Sequence, residues 1–198
     1  NGSWRLISGY PWLGQNTRES LQSVGGLLAG GREDVAREII IEAAKTQRDG
    51  LIADWLVGGP ESYRCVESSL RLILSAQDYV NATGDDSFWS KGVDQRRCLR
   101  DVLCDMMQRL SQSDCKGLSL DVRSGLLFCP EGSTWMNTTN PQATMRGGYP
   151  IEIQALWHQS LAVLARIDPL EMERISVLRD VITESIGALF WCQRHRYL

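Results

Sequence analysis

Histidine is almost absent from this sequence, with only His158 and His195, and none of its six cysteines stands in a Cys-x-x-Cys pair. The nitrogen and sulfur ligands that a zinc centre needs are therefore lacking at workable spacing, and no metal site is expected. No apolar run approaches the ~20 residues that a membrane-spanning helix requires, so a membrane is not an expected partner. There is no basic stripe interleaved with aromatics. Lys and Arg number 21 against 24 Asp and Glu, a net charge of −3, which argues against nucleic acid as a partner. The opening Asn1-Gly2-Ser3-Trp4 has no initiator Met, no basic segment and no apolar segment. The chain is thus expected to start inside a longer protein or after processing. At the other end, Arg196-Tyr197-Leu198 follows a helical pattern with no stop signal.

What is present is 198 residues of ordinary globular composition, enough for one sizeable core. The cysteines, at 65, 98, 104, 115, 129 and 192, are irregularly spaced, and several fall within apolar helical patterns. They read as thiols of a cytoplasmic protein.

Hydrophobic periodicity predicts six helices, near residues 17–29, 33–46, 63–82, 88–112, 150–167 and 169–193. Asn16 followed by Glu19 reads as a capping box for the first, and Gly30-Gly31 as its stop. Asp49-Gly50 predicts a turn after the second, and Thr83-Gly84-Asp85-Asp86 ends the third. Residues 113–149 are non-helical, with two short β-like segments at 118–122 and 125–129, then a Gly/Asn/Pro-rich loop. A connection longer than ~12–15 residues is usually functional. The fold class is therefore all-α, built from helical hairpins, with a short β-like insertion near 118–129.

Two clusters combine aromatic rings with charged and amide groups. One runs from Tyr10-Pro11-Trp12 to Arg18-Glu19-Ser20. The other holds Ser133-Thr134-Trp135-Met136-Asn137, followed by Arg146-Gly147-Gly148-Tyr149-Pro150-Ile151-Glu152. Such pairs suit sugars: a ring stacks on the apolar face of a pyranose, and charge-assisted hydrogen bonds hold its hydroxyls.

At these residues the chain resembles the C-terminal amylo-α-1,6-glucosidase domain of glycogen debranching enzymes and their bacterial and archaeal relatives. The family segment Pro-Trp-Phe-x-x-x-Gly-Arg-Asp-Thr is matched by Pro11-Trp12-Leu13 and Thr17-Arg18-Glu19-Ser20. Its helix ending in Gly-Arg and its Asp-Gly-Leu-Ile-Pro stretch are matched by Gly31-Arg32 and Asp49-Gly50-Leu51-Ile52-Ala53. Val66-Glu67-Ser68-Ser69-Leu70 through Thr83-Gly84-Asp85 is similar to its Val-Asp-Ala-Ser-Leu helix. Thr134-Trp135-Met136-Asn137 and Ile151-Glu152-Ile153-Gln154-Ala155-Leu156-Trp157 follow its Thr-Trp-Met-Asp and Val-Glu-Ile-x-Ala-Leu-Trp. The likeness runs over nearly the whole chain, in register.

The resemblance implies an (α/α) toroid of six helical hairpins, of which this chain, residues 1–198, forms a single fragment of about half the ring. It implies an inverting hydrolase of α-1,6-linked glucose at glycogen or maltodextrin branch points, using two carboxyl groups about 6.5–9.5 Å apart. Acid–base carboxylates and water suffice for that chemistry, so no cofactor is expected. The general acid falls at Asn137, whose amide has no acidic proton to give. The second carboxylate lies in hairpins beyond this chain. Substrate contacts are expected from Trp12, Arg18, Glu19, Trp135, Arg146 and Glu152, with glycogen or an α-glucan oligosaccharide as partner. Half a ring leaves apolar helix faces uncovered, so self-association or a chain supplying the missing half is also expected.

Plainer readings stand beside these. Glu19 caps a helix, Glu152 answers a helix dipole, and Arg146 is either a solvated charge or a substrate clamp. Glu67 reads as a helix-face residue, Trp157 and Met106-Met107 as core, and Asp94-Gln95-Arg96-Arg97 as a solvated helix face. The departures at Asn137, Glu19 and Glu67 fit a non-catalytic carbohydrate-binding or scaffold module. A trehalase-like toroid hydrolase is a further alternative, opposed by the Thr-Trp-Met and Glu-Ile-x-Ala-Leu-Trp segments.

Overall fold

The computed structural model describes residues 4, 6–12, 14–57, 63–113, 115–136 and 146–195. The first two helices are α1 (Thr17–Gln22) and α2 (Val24–Ala29). Asn16 caps α1, its Oδ1 accepting the Glu19 N–H at 3.2 Å, which is half of the expected capping box; the Glu19 carboxylate pairs with Arg18 instead of reaching back to the cap. The single helix expected over 17–29 is interrupted at Ser23, whose hydroxyl donates to the Glu19 carbonyl at 2.9 Å. That bond competes with the backbone ladder, and Gly25-Gly26 follow with little helix propensity. Gly31, at φ 69°, then turns the chain into α3 (Glu33–Lys45).

The Asp49-Gly50 turn forms with both residues at positive φ, and an isolated bridge joins Arg48 to Leu51 across it. Only glycine fits here, because a Cβ at Gly50 would run into the Cys115 sulfur. A short pair follows that the periodicity does not announce. Strand β1 (Gln15–Asn16) runs antiparallel to β2 (Trp55–Val57).

Helix α4 (Val66–Thr83) is the centre of the fold, packed by α1, α2, α3 and α6. It starts later than the expected residue 63. The Asp54 carboxylate accepts the N–H groups of Arg64, at 3.2 Å, and Cys65, at 2.9 Å, which holds that lead-in extended. Gly84, at φ 70°, closes its far end.

The helix expected over 88–112 is corrected. A 3-10 helix (Asp86–Ser90) leads into a loop, and α5 spans only Leu99–Ser111. The cause is Asp94, whose Oδ1 accepts the N–H groups of both Arg96 and Arg97 at 2.8 Å. A side chain that captures its own downstream backbone makes a turn rather than a helix face. Arg97 in turn donates to Gln47 at 2.6 Å, and Gln47 to Asp105 at 2.8 Å, tying the loop to the segment after α3 and to α5.

The β-like insertion is present but shorter than expected. Strands β3 (Ser119–Leu120) and β4 (Leu127–Phe128) pair antiparallel, Ser119 opposite Phe128 and Leu120 opposite Leu127. Helices α6 (Ile151–Ile167) and α7 (Met172–Leu189) complete the chain as a packed pair. Asp168 accepts the Leu170 N–H at 3.2 Å, so α7 begins after residue 169; it also stops short of 193. Trp157 is fully buried, as expected of core, and its Nε1 donates to the Gly125 carbonyl at 3.2 Å. The architecture is thus mostly helical, with two small antiparallel sheets, of which β3–β4 is the expected insertion and β1–β2 is unexpected.

Candidate functional site

Three helices begin at one end of the molecule. Hydrogen bonds bring the starts of α1 and α4 together: Thr17 of α1 donates to the Asp54 carbonyl at 2.9 Å, the Asp54 carboxylate anchors the approach to α4, and Val66 of α4 donates to the Ser133 carbonyl at 3.0 Å; the start of α6 joins them through Arg146, which pairs with Glu152 and faces Trp135. Each start carries an acid in its first turn, Glu19 on α1, Glu67 on α4 and Glu152 on α6. Acids are favoured there by the helix dipole, so the sequence needs little else to hold them.

Trp135 stands where these elements meet. The Arg18 guanidinium lies 6.0 Å from its ring centroid and that of Arg146 lies 5.9 Å away, both within cation–π range. Arg18 reaches Glu19 at 3.4 Å, and Arg146 is paired with Glu152 in a hydrogen-bonded contact. Five of the residues singled out by sequence, Arg18, Glu19, Trp135, Arg146 and Glu152, therefore form one cluster. All five keep part of their surface open, and Trp135 is 48% exposed. The arrangement is an aromatic ring flanked by two fixed donors, each donor carrying its own acceptor.

Trp12 is not part of this cluster among the described contacts. It sits in a turn, its N–H donating to the Gly9 carbonyl at 3.0 Å, with 85% of its surface exposed. Asn137, the position matched to the general acid, lies outside the described residues.

Glu67 needs correction. The sequence reads it only as a helix-face residue; that face is turned inward, for it is 5% exposed, and its Oε2 has no hydrogen-bond partner among the described residues. Its Oε1 faces the Arg71 Nε at 3.9 Å, too long for a hydrogen bond. The hydroxyls of Thr17, Ser68 and Thr134, all fully buried, also have no partner among the described residues, and they lie beside the cluster in sequence. A buried polar atom left unmatched costs roughly 1–3 kcal/mol, so each of these groups carries a cost that the packing around it does not relieve. The signal in the sequence was weak. Glu67 stands among Val66, Ser68, Ser69 and Leu70, all buried, where an acid interrupts the covered first turn of the helix.

Thiol chemistry is not favoured. Burial pushes the Cys65 and Cys104 thiols up to about 11 and that of Cys129 up to about 12, so all three stay protonated at neutral pH. Among the described residues, no group of three or more His, Cys, Asp or Glu is placed to hold a metal ion. No helix of the described residues is long and apolar enough to cross a membrane.

With this geometry in view, comparison with known families is informative. The family model described as amylo-alpha-1,6-glucosidase matches residues 1–198, the whole of the chain. A search of curated proteins gives no match.

Proposed function

The chain belongs to the amylo-alpha-1,6-glucosidase family, and from that premise we propose that the Trp135 cluster is the glucan-binding end of a glycoside hydrolase fold. The reading is that of a glycogen debranching enzyme, acting at α-1,6-linked glucose on glycogen or maltodextrin. One observation carries it: two guanidiniums flank a half-exposed tryptophan at the gathered starts of α1, α4 and α6. Trp135 stacks on a glucose ring, Arg18 and Arg146 donate to its hydroxyls, and Glu19 and Glu152 accept from them. Trp12, exposed and apart, is a second stacking platform for a longer chain. Glu67 accepts a hydroxyl proton from the sugar seated deepest, which supplies the partner its Oε2 lacks.

Inversion by two carboxyl groups requires one to protonate the leaving oxygen and the other to activate water. Asn137 stands at the first position and cannot give a proton. In this reading residues 1–198 are one fragment of an (α/α) toroid, about half a ring, that binds glucan and does not cleave it unaided. No cofactor enters the scheme, since the chemistry needs only carboxylates and water. The six cysteines, all thiols, support a reducing compartment and hence a cytoplasmic location. The amide at 137 also favours a second reading, a non-catalytic carbohydrate-binding module.

Titration calorimetry with maltooligosaccharides and branched dextrins tests the site. Arg18→Ala and Arg146→Ala are each expected to weaken binding about tenfold, the loss of one charge-assisted hydrogen bond. Unchanged affinity in both variants would sink the assignment. Recovery of hydrolysis by Asn137→Asp, in a protein with the complete ring, separates the enzyme from the binding module.

A further inference from the structure

A second groove lies on the outer face of α3 and shares no residue with the Trp135 cluster. It encloses about 610 Å³, and its lining includes Trp4, Glu33, Arg37, Glu38, Ile41 and Lys91. Glu33, Arg37 and Ile41 follow at i, i+4 and i+8 along one ridge of the helix, with Glu38 beside them. Tyr79 of α4, 6% exposed, closes the groove from beneath.

Trp4 is held in place by two contacts. The Arg32 guanidinium sits 4.5 Å from its ring centroid, and its backbone N–H reaches Glu38 Oε2 at 3.3 Å. The indole nevertheless remains 55% exposed. A fixed, half-open aromatic ring at the mouth of a groove is a pre-organised stacking surface.

The charges narrow the ligand class. An anion would face Glu33, Asp34, Glu38 and Glu42, and a cation would face Arg37 and Lys91. A neutral polyol suits both signs, because carboxylates accept its hydroxyl protons and cations donate to its hydroxyl oxygens. We propose that the Trp4 groove is a second, non-catalytic glucan-binding site, which holds one chain of a polymer while the Trp135 cleft engages another. The choice of glucan among neutral polyols rests on the function proposed above. Two sites on one molecule raise retention on a branched polymer by effective concentration, with no new contact needed at either site.

Affinity electrophoresis through gels containing glycogen tests this, alongside calorimetry with short maltooligosaccharides. Trp4→Ala is expected to reduce glycogen retardation about fivefold to tenfold, the worth of one stacked ring. Trp4→Phe is expected to restore most of it, and both should keep the circular-dichroism melt of the unmodified chain. Glycogen retardation of Trp4→Ala equal to that of the unmodified chain overturns the proposal, as does no retardation of the unmodified chain. If Arg18→Ala and Arg146→Ala both leave oligosaccharide binding intact while Trp4→Ala loses glycogen, the Trp135 reading falls and the Trp4 site stands. If Arg146→Ala alone weakens binding, the Trp4 site falls and the cleft stands.

Discussion

Replacing Glu67 by methionine is expected to make the protein more stable and worse at binding sugar. The side chain is 5% exposed, one carboxylate oxygen has no partner, and the other faces Arg71 at 3.9 Å. An unmatched buried polar group costs roughly 1–3 kcal/mol, and methionine fills a similar volume with no polar atom. Against that stands the attraction to Arg71. Its side chain is 37% exposed, so solvent screens the pair, and its Nε, already buried without a hydrogen-bond partner among the described residues, loses none when the carboxylate goes. The net expectation is a gain of about 1 kcal/mol, or a rise in Tm of about 2–4 °C for a chain of this size. Differential scanning calorimetry reads the first effect, and calorimetric titration with a maltooligosaccharide reads the second. A fall in Tm of similar size would mean that Glu67 anchors the start of α4, and that its buried oxygen is not held in reserve for a ligand. Such an exchange of stability for binding is the usual mark of a functional residue in a core.

Three further outcomes follow from the packing. Burial first, and then Arg179, push the His158 imidazole below its ordinary value, with Asp180 opposing. The unfolded chain then binds a proton that the folded one refuses. Stability should fall as pH drops below about 6.5, and His158→Gln should flatten that slope in urea titrations at pH 5 and pH 7.5. Gly50→Ala forces a Cβ into the Cys115 sulfur at a φ of 82°, so a loss of more than about 1 kcal/mol is expected. Adding Cys115→Ala should recover part of it; no recovery in thermal melts would place the damage in the backbone or at Arg109, whose Cβ would lie 3.0 Å from the new methyl. Finally, Leu170, Val177, Leu189 and Trp191 on and around α7 are exposed, and such a surface favours association. A dimer or larger species is expected by light scattering at micromolar concentration, and a monodisperse monomer would refute it.

Punctuation was the most legible part of the fold. Asn16, Gly31, Gly50 and Gly84 each act where local chemistry requires, because capping and positive φ depend on neighbours a few residues away. The stretch after residue 88 misled because Leu99, Val102, Met106 and Leu110 set a helical period, and nothing in that period shows Asp94 capturing two backbone N–H groups upstream of it. The β1–β2 pair was invisible for a different reason. Two or three residues are too few for alternation to register, and the pairing joins segments some 40 residues apart. At the site, residue types sufficed to pick out Arg18, Glu19, Trp135, Arg146 and Glu152, which the fold gathers. Glu67 escaped because whether an acid on a helix faces water or core depends on tertiary packing that one sequence does not display.

Helix α6 reaches across to the hairpin with two side chains. Gln154 accepts the Leu127 N–H at 2.8 Å and donates to the Leu127 carbonyl at 2.9 Å, while Trp157 holds the Gly125 carbonyl. Just beyond, Cys129 and Gly148 exchange backbone hydrogen bonds at 2.7 and 2.8 Å, two residues from Arg146. The hairpin therefore has little freedom of its own. Protection of the Leu127, Cys129 and Gly148 amides should rise and fall together with the α6 backbone, as one cooperative unit in hydrogen exchange. A sugar that clamps Arg146 would then be felt as slower exchange deep in α6, far from any hydroxyl it touches.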